Sequence, residues 1–526
     1  MDEMNDNRRI EGAFFRGAAW LAISTLILKI IGLIYKIPLS YMLGDEGMGY
    51  FNSAYTVYVF FYVIGTAGIP KAISILVSKS KAENQNNTNE IFNVAFRFFT
   101  VSGLLLLTVF VIFGDTIAAA IGNEKSLYAM YAIAPSILFV CAAGVIRGYM
   151  SGQMKFYHIA VSELISGVLK LALGLVFAYV GLRLGKSLPV IAAYTIFGIT
   201  VGSFASFIYL LVSYTKIRER KRCSLRNAGI LWSILKIAAP ITLASAIGSV
   251  VNVLDLTFIM NGLEGQGYTE SVANVLYGNY TTLAVPMLSA LGTFITPVAT
   301  AMLPVLAGAY AKDSMTEYNR QMRTSLTICT FICIPAAVYF AFYSYETLGL
   351  IFEESSAILG SPMLVLLAPA VFIIGPLTVI NTALEAAGKP SIAFWSLTVG
   401  ALVKLAISFI LISFGSVGIL VAPIGTTASY LVSYVISLAS ISSIKGIKVP
   451  VLKTAIIPTL ASFASALISR FCLNMFNNSG GVRLYCAWTF IVFSLSYLFF
   501  TLIFSKKTRN VLFKCVKIDK KRTNDL

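Results

Sequence analysis

Long apolar runs separated by short polar loops form most of this chain of 526 residues. The runs at 101–113, 364–380 and 488–504 contain almost only apolar side chains, and one membrane-spanning helix needs roughly 20 such residues. Counting the runs predicts about fourteen spans. The spans begin near residues 14, 50, 91, 127, 159, 188, 230, 272, 321, 361, 391, 416, 451 and 483. The pattern therefore predicts an all-α integral membrane protein.

The composition agrees with a membrane location. Charged residues make up 12% of the chain and hydrophobic residues 57%, whereas a soluble domain has about 25% charged residues. The formal net charge of +17 would indicate a nucleic-acid partner in a soluble protein, but here the basic residues lie in alternate loops. Basic clusters occur at 79–81, 216–226, 312–323, 445–453 and 506–522, and acidic residues occupy the intervening loops at 45–46, 115–124, 264–270 and 346–354. The basic exceptions in the intervening loops are Lys125, Arg183, Lys186 and Arg483. Under the positive-inside rule, this alternation predicts two cytoplasmic termini and no role for nucleic acid.

The sequence contains no motif typical of catalysis or metal binding. Its seven cysteines are scattered without a CxxC pair and His158 is the only histidine, so we expect neither a metal site nor a disulfide framework. Gly185-Lys186-Ser187 ends like a phosphate-binding loop, but the glycine needed five positions before Gly185 is Val180. The first apolar segment, at 18–43, has no small-residue cleavage site and is predicted to be a retained helix. We therefore expect a protein that is not an enzyme and has no cofactor.

Internal similarity predicts two related, pseudo-symmetric six-helix lobes followed by two further helices. Ala134-Pro135 and Lys170-Leu171-Ala172 recur, at one constant spacing, as Ala368-Pro369 and Lys404-Leu405-Ala406. Repeated lobes are typical of transporters that expose a central cleft to each side of the membrane in turn. The predicted parts are an N-lobe at 1–215 with spans 1–6, a basic cytoplasmic linker at 216–229, a C-lobe at 230–444 with spans 7–12, spans 13 and 14 at 445–504, and a basic cytoplasmic tail at 505–526.

Ionisable side chains inside the spans are the candidate site residues. Each costs about 2.5–3.5 kcal/mol at the bilayer centre, so such residues normally face a cavity or a partner. Lys29 and Lys36 are seven residues apart in the first span and therefore project from one helical face. Two interpretations stay open: both line a cleft that binds an anionic group, or Lys36 reaches the outer headgroups while Lys29 pairs with an acid.

The remaining candidates lie on several different spans. Arg147 is near a cytoplasmic helix end, where it can either reach the headgroup layer or capture a lipid diphosphate. Lys170 and Lys404 occupy equivalent mid-span positions, and Glu163 lies seven residues before Lys170, so an ion pair and a substrate role are both open. Asp255 either binds a coupling ion or neutralises a base of the first span. We predict Lys29, Lys36, Arg147, Lys170 and Lys404 as substrate-binding residues and Asp255 and Glu163 as candidates for a coupling Na⁺ or H⁺.

Several segments resemble a known superfamily. The opening segment 15–50, with Leu28-Lys29-Ile30-Ile31-Gly32-Leu33-Ile34-Tyr35, is similar to the multidrug/oligosaccharidyl-lipid/polysaccharide (MOP) flippase superfamily. Gly68-Ile69-Pro70-Lys71-Ala72-Ile73-Ser74 and Arg147-Gly148-Tyr149-Met150-Ser151-Gly152-Gln153 are further points of similarity. The chain looks most like the Gram-positive polysaccharide-biosynthesis branch, which includes stage V sporulation protein B and the MurJ-type lipid II flippases. The resemblance covers nearly the whole chain.

The resemblance implies a function in the bacterial cytoplasmic membrane. Such flippases carry undecaprenyl-diphosphate-linked sugars to the outer leaflet through a cationic cavity, and Lys29 stands where MurJ-type proteins have a basic cavity residue. The chain departs from that pattern at Tyr35, where an arginine is typical, and at Tyr62-Val63-Ile64-Gly65, where basic residues are usual. Lipid II, a spore-cortex precursor and another polyprenyl-linked glycan all fit as the cargo. Membrane lipids and cell-wall synthesis proteins are the other expected partners.

Two other functions remain as alternatives. A multidrug and toxin exporter of the same superfamily binds cations, so its cavity should be acidic and aromatic, whereas the intramembrane residues here are mostly basic. A membrane glycosyltransferase would need carboxylates in a large outer loop, which the chain lacks. We therefore favour a flippase that works by alternating access and is driven by the membrane potential or by an ion gradient.

The Lys29→Ala variant tests the cationic first span. We expect it to reach the membrane in normal amount but to fail to complement loss of the protein, because the anionic group of the cargo loses its partner. Full complementation by Lys29→Ala would remove this residue from the site.

Overall fold

The structure is a computed structural model that describes the backbone of residues 2–83, 87–218, 227–414, 417–475 and 482–504. Side chains outside the description are those of residues 2–19, 21–23, 26, 29, 30, 33, 82, 227, 228, 414, 473–475, 482 and 504. The prediction for the Lys29 side chain therefore lies outside the described residues. The centre of the predicted linker, at 219–226, and the predicted tail at 505–526 do so as well.

The described residues form helices and short connections, which confirms the all-α prediction. Helices are expected here because lipid offers no hydrogen-bonding partner, so each backbone N–H and C=O must be satisfied within its own segment. The chain divides into two compact units, Met1–Gly278 (unit 1) and Asn279–Leu526 (unit 2). The first ten helices are α1 (Asp2–Thr66), α2 (Ile69–Ala82), α3 (Thr88–Ile112), α4 (Gly114–Ala120), α5 (Leu127–Ile133), α6 (Pro135–Gly152), α7 (Phe156–Arg183), α8 (Leu188–Ile217), α9 (Asn227–Gly265) and α10 (Glu270–Asn279).

Unit 2 begins with a π-helical turn at Tyr280–Ala284 that leads into the next helix. Its helices are α11 (Val285–Ala311), α12 (Met315–Phe342), α13 (Ser344–Ile351), α14 (Glu354–Ala386), α15 (Pro390–Phe414), α16 (Val421–Ser442), α17 (Val451–Met475) and α18 (Val482–Phe504). In unit 1, α9 packs on α1, α2 and α3. The division into lobes at the 216–229 linker was drawn from internal similarity and stays a prediction.

Thirteen segments of the described residues are long and apolar enough to cross a bilayer, in agreement with a multi-pass membrane protein. The first, Ile34–Lys81, has 48 residues, more than twice the roughly 20 that one crossing needs. Gly44, with φ 63° and ψ 179°, interrupts α1 within this segment, in a conformation that glycine adopts without steric cost. The first two predicted spans are therefore the two halves of α1, before and after Gly44.

Small residues allow α7 and α8 to pack closely in unit 1. A Cβ at Gly198 would lie 2.6 Å from the backbone N of Gly174, and a Cβ at Gly202 would lie 2.7 Å from the backbone O of Ser166. Close backbone approach of this kind is a common way for membrane helices to associate. It fixes the position of α7, which carries Glu163 and Lys170.

The Gly202→Ala variant tests this packing. We expect a loss of about 1–3 kcal/mol in the free energy of unfolding, because the added methyl group must push two backbones apart. The matched control is Gly308→Ala in α11, where a Cβ would meet nothing within 4 Å and alanine is the better helix former. Thermal unfolding in detergent measures both. A Gly202→Ala protein as stable as the parent would contradict the packing described.

Candidate functional site

Lys170 lies near the middle of α7, where α7 packs on α1. Its Nζ is 5.6 Å from the ring centroid of Tyr35 and 5.1 Å from that of Tyr55. Tyr35 precedes the interruption at Gly44 and Tyr55 follows it, so each half of α1 contributes one ring. Lys170 was predicted from the sequence and the two rings were not, because nothing in the local pattern links residues so far apart in the chain.

The charge of Lys170 has little compensation from its described surroundings. The residue is half-buried, and no carboxylate among the described residues lies within 4.0 Å of its ammonium group. At a half-buried position we take each of the two cation–π contacts to contribute about 0.5–1 kcal/mol, whereas a central charge costs about 2.5–3.5 kcal/mol. The arrangement therefore leaves a positive charge available to an anionic ligand.

Tyr35 adds a hydrogen-bonding group beside this charge. The side chain is 3% exposed, and its hydroxyl has no hydrogen-bond partner in the described part of the chain. The ring packs against Gly174, where a Cβ would lie 2.6 Å from the Tyr35 Oη. Gly174 is one turn after Lys170 on α7. An unsatisfied buried hydroxyl costs about 1–3 kcal/mol, and a ligand oxygen at this position would remove that cost.

An aromatic face continues from Tyr35 along the second half of α1. Successive ring centroids from Tyr35 through Phe51, Tyr55 and Tyr58 to Tyr62 are 6.4, 6.3, 6.0 and 5.9 Å apart. Phe51 and Tyr58 are buried, whereas Tyr55 and Tyr62 are half-exposed. Tyr62, in the stretch Tyr62-Val63-Ile64-Gly65, is the last ring of this face.

Lys36 and Arg147 are the other predicted basic residues of unit 1 with described side chains. Lys36 is half-buried and within electrostatic reach of Lys170. Arg147 donates from Nη2 to the Ser206 Oγ at 3.2 Å, and its buried Nε has no partner among the described residues. Gly202, one turn before Ser206 on α8, packs against the backbone N of Lys170. Arg147 and Lys170 thus both contact α8, on segments one turn apart.

Glu163 and Asp255, the candidates for a coupling ion, occupy different surroundings. Glu163 is half-buried on α7 and, within the described ranges, makes no ion pair with Lys170. Asp255 is 5% exposed on α9. In the part of the chain that the structure describes, no group of three or more His, Cys, Asp or Glu side chains is placed to hold a metal ion. The coupling roles of both acids stay predictions.

Lys404 is the predicted counterpart of Lys170 in unit 2. It is half-buried on α15, and its Cγ would lie 3.4 Å from a Cβ at Gly425 on α16. Each lysine therefore has a glycine of the following helix against it, Gly202 for Lys170 and Gly425 for Lys404. The local packing agrees with the internal similarity found in the sequence. The substrate-binding role of Lys404 stays a prediction.

Comparison with known proteins finds family models and relatives that match this chain. A family model described as "Polysaccharide biosynthesis protein" matches residues 14–310, and the MatE model matches residues 240–410. Stage V sporulation protein B of Bacillus subtilis (strain 168) is 23% identical over 514 residues, which cover 95% of this chain and 97% of that protein. Lipid II flippase MurJ of the same organism is 21% identical over 444 residues, covering 80% and 81%.

A solved structure shows the same fold. The lipid II flippase MurJ in an inward closed conformation superposes with a TM-score of 0.68 at 16% identity, covering 94% of this chain and 99% of that one. The similarity of fold therefore includes residues of both compact units.

The Lys170→Met variant tests whether the charge of Lys170 lowers the free energy of unfolding of the protein. Methionine has a similar length and no charge, so we expect the free energy of unfolding to rise by about 1 kcal/mol, the cost that the two rings leave uncompensated. The control is Lys79→Met, which removes an exposed ion pair with Glu83 and should change stability little. Thermal unfolding in lipid nanodiscs measures both. A lower melting temperature for Lys170→Met would show that Lys170 stabilises the fold.

Proposed function

Because the chain belongs to the polysaccharide biosynthesis protein family, and through it to the MOP superfamily of membrane transporters, we propose that it is a lipid flippase. Its cargo is a polyprenyl-diphosphate-linked glycan, either a peptidoglycan precursor or a related glycan. It moves this cargo across the cytoplasmic membrane by alternating access, and both termini are cytoplasmic. The name of one relative, lipid II flippase MurJ, supports this class of cargo.

The observation that carries the proposal is the Lys170 charge in the middle of α7, with two tyrosine rings and no described carboxylate beside it. A diphosphate supplies the missing negative charge. At an effective dielectric constant of 20, opposite unit charges 4 Å apart attract by about 4 kcal/mol, more than the cost left uncompensated at Lys170. The Tyr35 hydroxyl lies on the same side of α7 and can donate to a phosphate oxygen.

The aromatic face supports the glycan part of the proposal. A pyranose ring presents C–H groups on its faces, and these match the negative faces of aromatic rings. Tyr55 and Tyr62 are half-exposed members of that face, and their hydroxyl groups can bond to sugar hydroxyls. The apolar polyprenyl chain needs no site in the protein, because it can stay in the lipid.

A multidrug cation exporter is the second candidate, since the MatE model matches residues 240–410. Tyrosine rings such as Tyr35 and Tyr55 are the groups that would bind a quaternary cation. Here the ammonium group of Lys170 already lies over both rings. It would repel a cation and attract a diphosphate, so the geometry favours an anionic cargo.

A driving force is needed for net transport. Asp255 and Glu163 are the residues that we propose for coupling to Na⁺ or H⁺, and the membrane potential is the alternative source. A negatively charged cargo that moves outward is favoured by an inside-negative potential, by about 2.3 kcal/mol per charge at 100 mV.

Reconstitution in proteoliposomes tests the proposal. A fluorescent polyprenyl-diphosphate disaccharide placed in one leaflet should move to the other in the presence of the parent protein and of Lys79→Met. Lys170→Met should reduce the rate at least about tenfold, the effect of losing some 1.4 kcal/mol of interaction. Transport at the parent rate by Lys170→Met would remove the assigned site, and uptake of a cationic dye in its place would favour the drug exporter.

A further inference from the structure

Unit 2 contains a buried acidic side chain that the proposed function does not use. Glu346 lies in the first turn of α13, the short helix between the candidate spans Met315–Phe342 and Glu354–Ala386. The residue is 8% exposed, and within the described ranges no basic side chain lies within 4.0 Å of its carboxylate. The acidic residues at 346–354 predict that this helix is on the outer side of the membrane. A buried carboxylate without an ion pair is costly in its charged form.

Glu346 lies where α13 and the end of α12 meet α17 and α18. The helix α13 packs on α18 and on α14, and α12 packs on α17. Just before α13, the Tyr343 Oη donates to the Ala466 O of α17 at 2.7 Å. One turn earlier, the Tyr339 Oη and the Thr489 Oγ1 of α18 are 3.2 Å apart. Glu346 therefore belongs to an interface between helices and not to an open loop.

The titratable and charged groups near Glu346 come from all the helices packed around α13. They are Tyr339 at the end of α12, Tyr343 before α13, Tyr345 on α13, Arg470 on α17, and Tyr485 and Cys486 on α18. On α14, the Glu354 Oε1 accepts from the Tyr345 Oη at 3.1 Å. Arg470 is the base of this set, and its side chain is exposed to water. Burial raises the pKa of the Glu346 carboxyl, and a backbone N–H and Arg470 lower that pKa only in part.

Three hydroxyl groups next to Glu346 in the chain already have acceptors. The Tyr343 O–H and the Tyr345 O–H donate to the oxygen atoms named above, and the Thr347 Oγ1 donates to the Tyr343 O at 2.6 Å. An ionised carboxylate can only accept hydrogen bonds, and these three groups have no proton left to donate to it. The neutral carboxylic acid therefore fits this interface better than the carboxylate.

We propose that Glu346 is a proton-binding site on the outer side of unit 2, and that its neutral form holds α13 against α18. The carboxylate takes up a proton from the outer water and becomes a carboxylic acid, so its charge no longer remains in the interface. When the proton returns to water, the charge needs hydration, and α13 separates locally from α18. The acidity of the outer water thus sets how firmly α18 is attached. This site does not depend on the identity of the cargo.

Labelling of two native cysteines from outside measures the attachment of α18. Cys486 on α18 is buried near Glu346, and Cys472 on α17 is half-exposed. Two variants each keep one of these cysteines, and a membrane-impermeant methanethiosulfonate reagent is added. The rate at Cys486 is divided by the rate at Cys472 to remove the pH dependence of thiol reactivity. From about pH 5 to about pH 8 the ratio should rise at least about fivefold, the smallest effect expected for one buried polar group without a partner.

Two carboxamide variants distinguish Glu346 from its neighbours. Glu346→Gln is neutral at every pH, so its labelling ratio should stay at the low value that the parent shows at about pH 5. The matched control is Glu354→Gln, which alters an exposed acid of α14 and should keep the response of the parent. A parent ratio that does not change with pH would overturn the proposal. A Glu346→Gln ratio that changes as the parent ratio does would overturn it as well.

Thermal unfolding in detergent gives an independent readout. Because the pKa of Glu346 is raised in the folded protein, its stabilising contribution is fully present below the unfolded value of about 4.3 and is lost as the pH rises through the folded value. Glu346→Gln should therefore melt at or above the temperature of the parent at about pH 8. A carboxylate near a helix N-terminus can instead be stabilised by the helix dipole. A Glu346→Gln protein that melts below the parent at about pH 8 would show that the charged form holds α13 and would contradict the proposal. Neither measurement involves the cargo, so each result is independent of the proposed function.

Discussion

A positive charge in the middle of a membrane-spanning helix needs a partner, and at Lys170 the described partners are the rings of Tyr35 and Tyr55. The surrounding structure brings these three groups together. Glycines of α8 hold α7 close, and the interruption at Gly44 lets both halves of α1 contribute a ring. Two rings compensate the charge only in part. In the proposed function the diphosphate of the cargo supplies the missing charge, which connects the packing of unit 1 to the choice of cargo.

The same unit contains two kinds of helix contact with different consequences. Between α7 and α8 the contact includes close packing at glycines and one polar contact, in which the His158 Nδ1 and the Tyr209 Oη are 3.2 Å apart. Between α10 and its neighbours, buried amides and an ion pair make the contact. The first arrangement fixes the position of Lys170 next to α8.

Much of this fold could be predicted from the sequence, because the apolar runs and the alternating loop charges are local signals. The mid-span position of Lys170 was clear for the same reason. The contact of Lys170 with the rings of Tyr35 and Tyr55 could not be predicted, and neither could the contact between Asn123 and Asn274. Whole helices separate Asn123 from Asn274, and neither position stands out in the local pattern. The compact units divide the chain at Gly278 and Asn279, a boundary that falls inside an apolar run and leaves no compositional mark. Lys29 was the leading prediction, but its side chain is not described.

The central claim is that the chain moves a lipid-linked glycan outward. The most direct test depletes the protein in its own cell and assays the lipid-linked peptidoglycan precursor on each face of the membrane. We expect the precursor to accumulate on the cytoplasmic face, with restoration by the parent protein and none by Lys170→Met. An unchanged distribution of lipid-linked precursors would contradict the account.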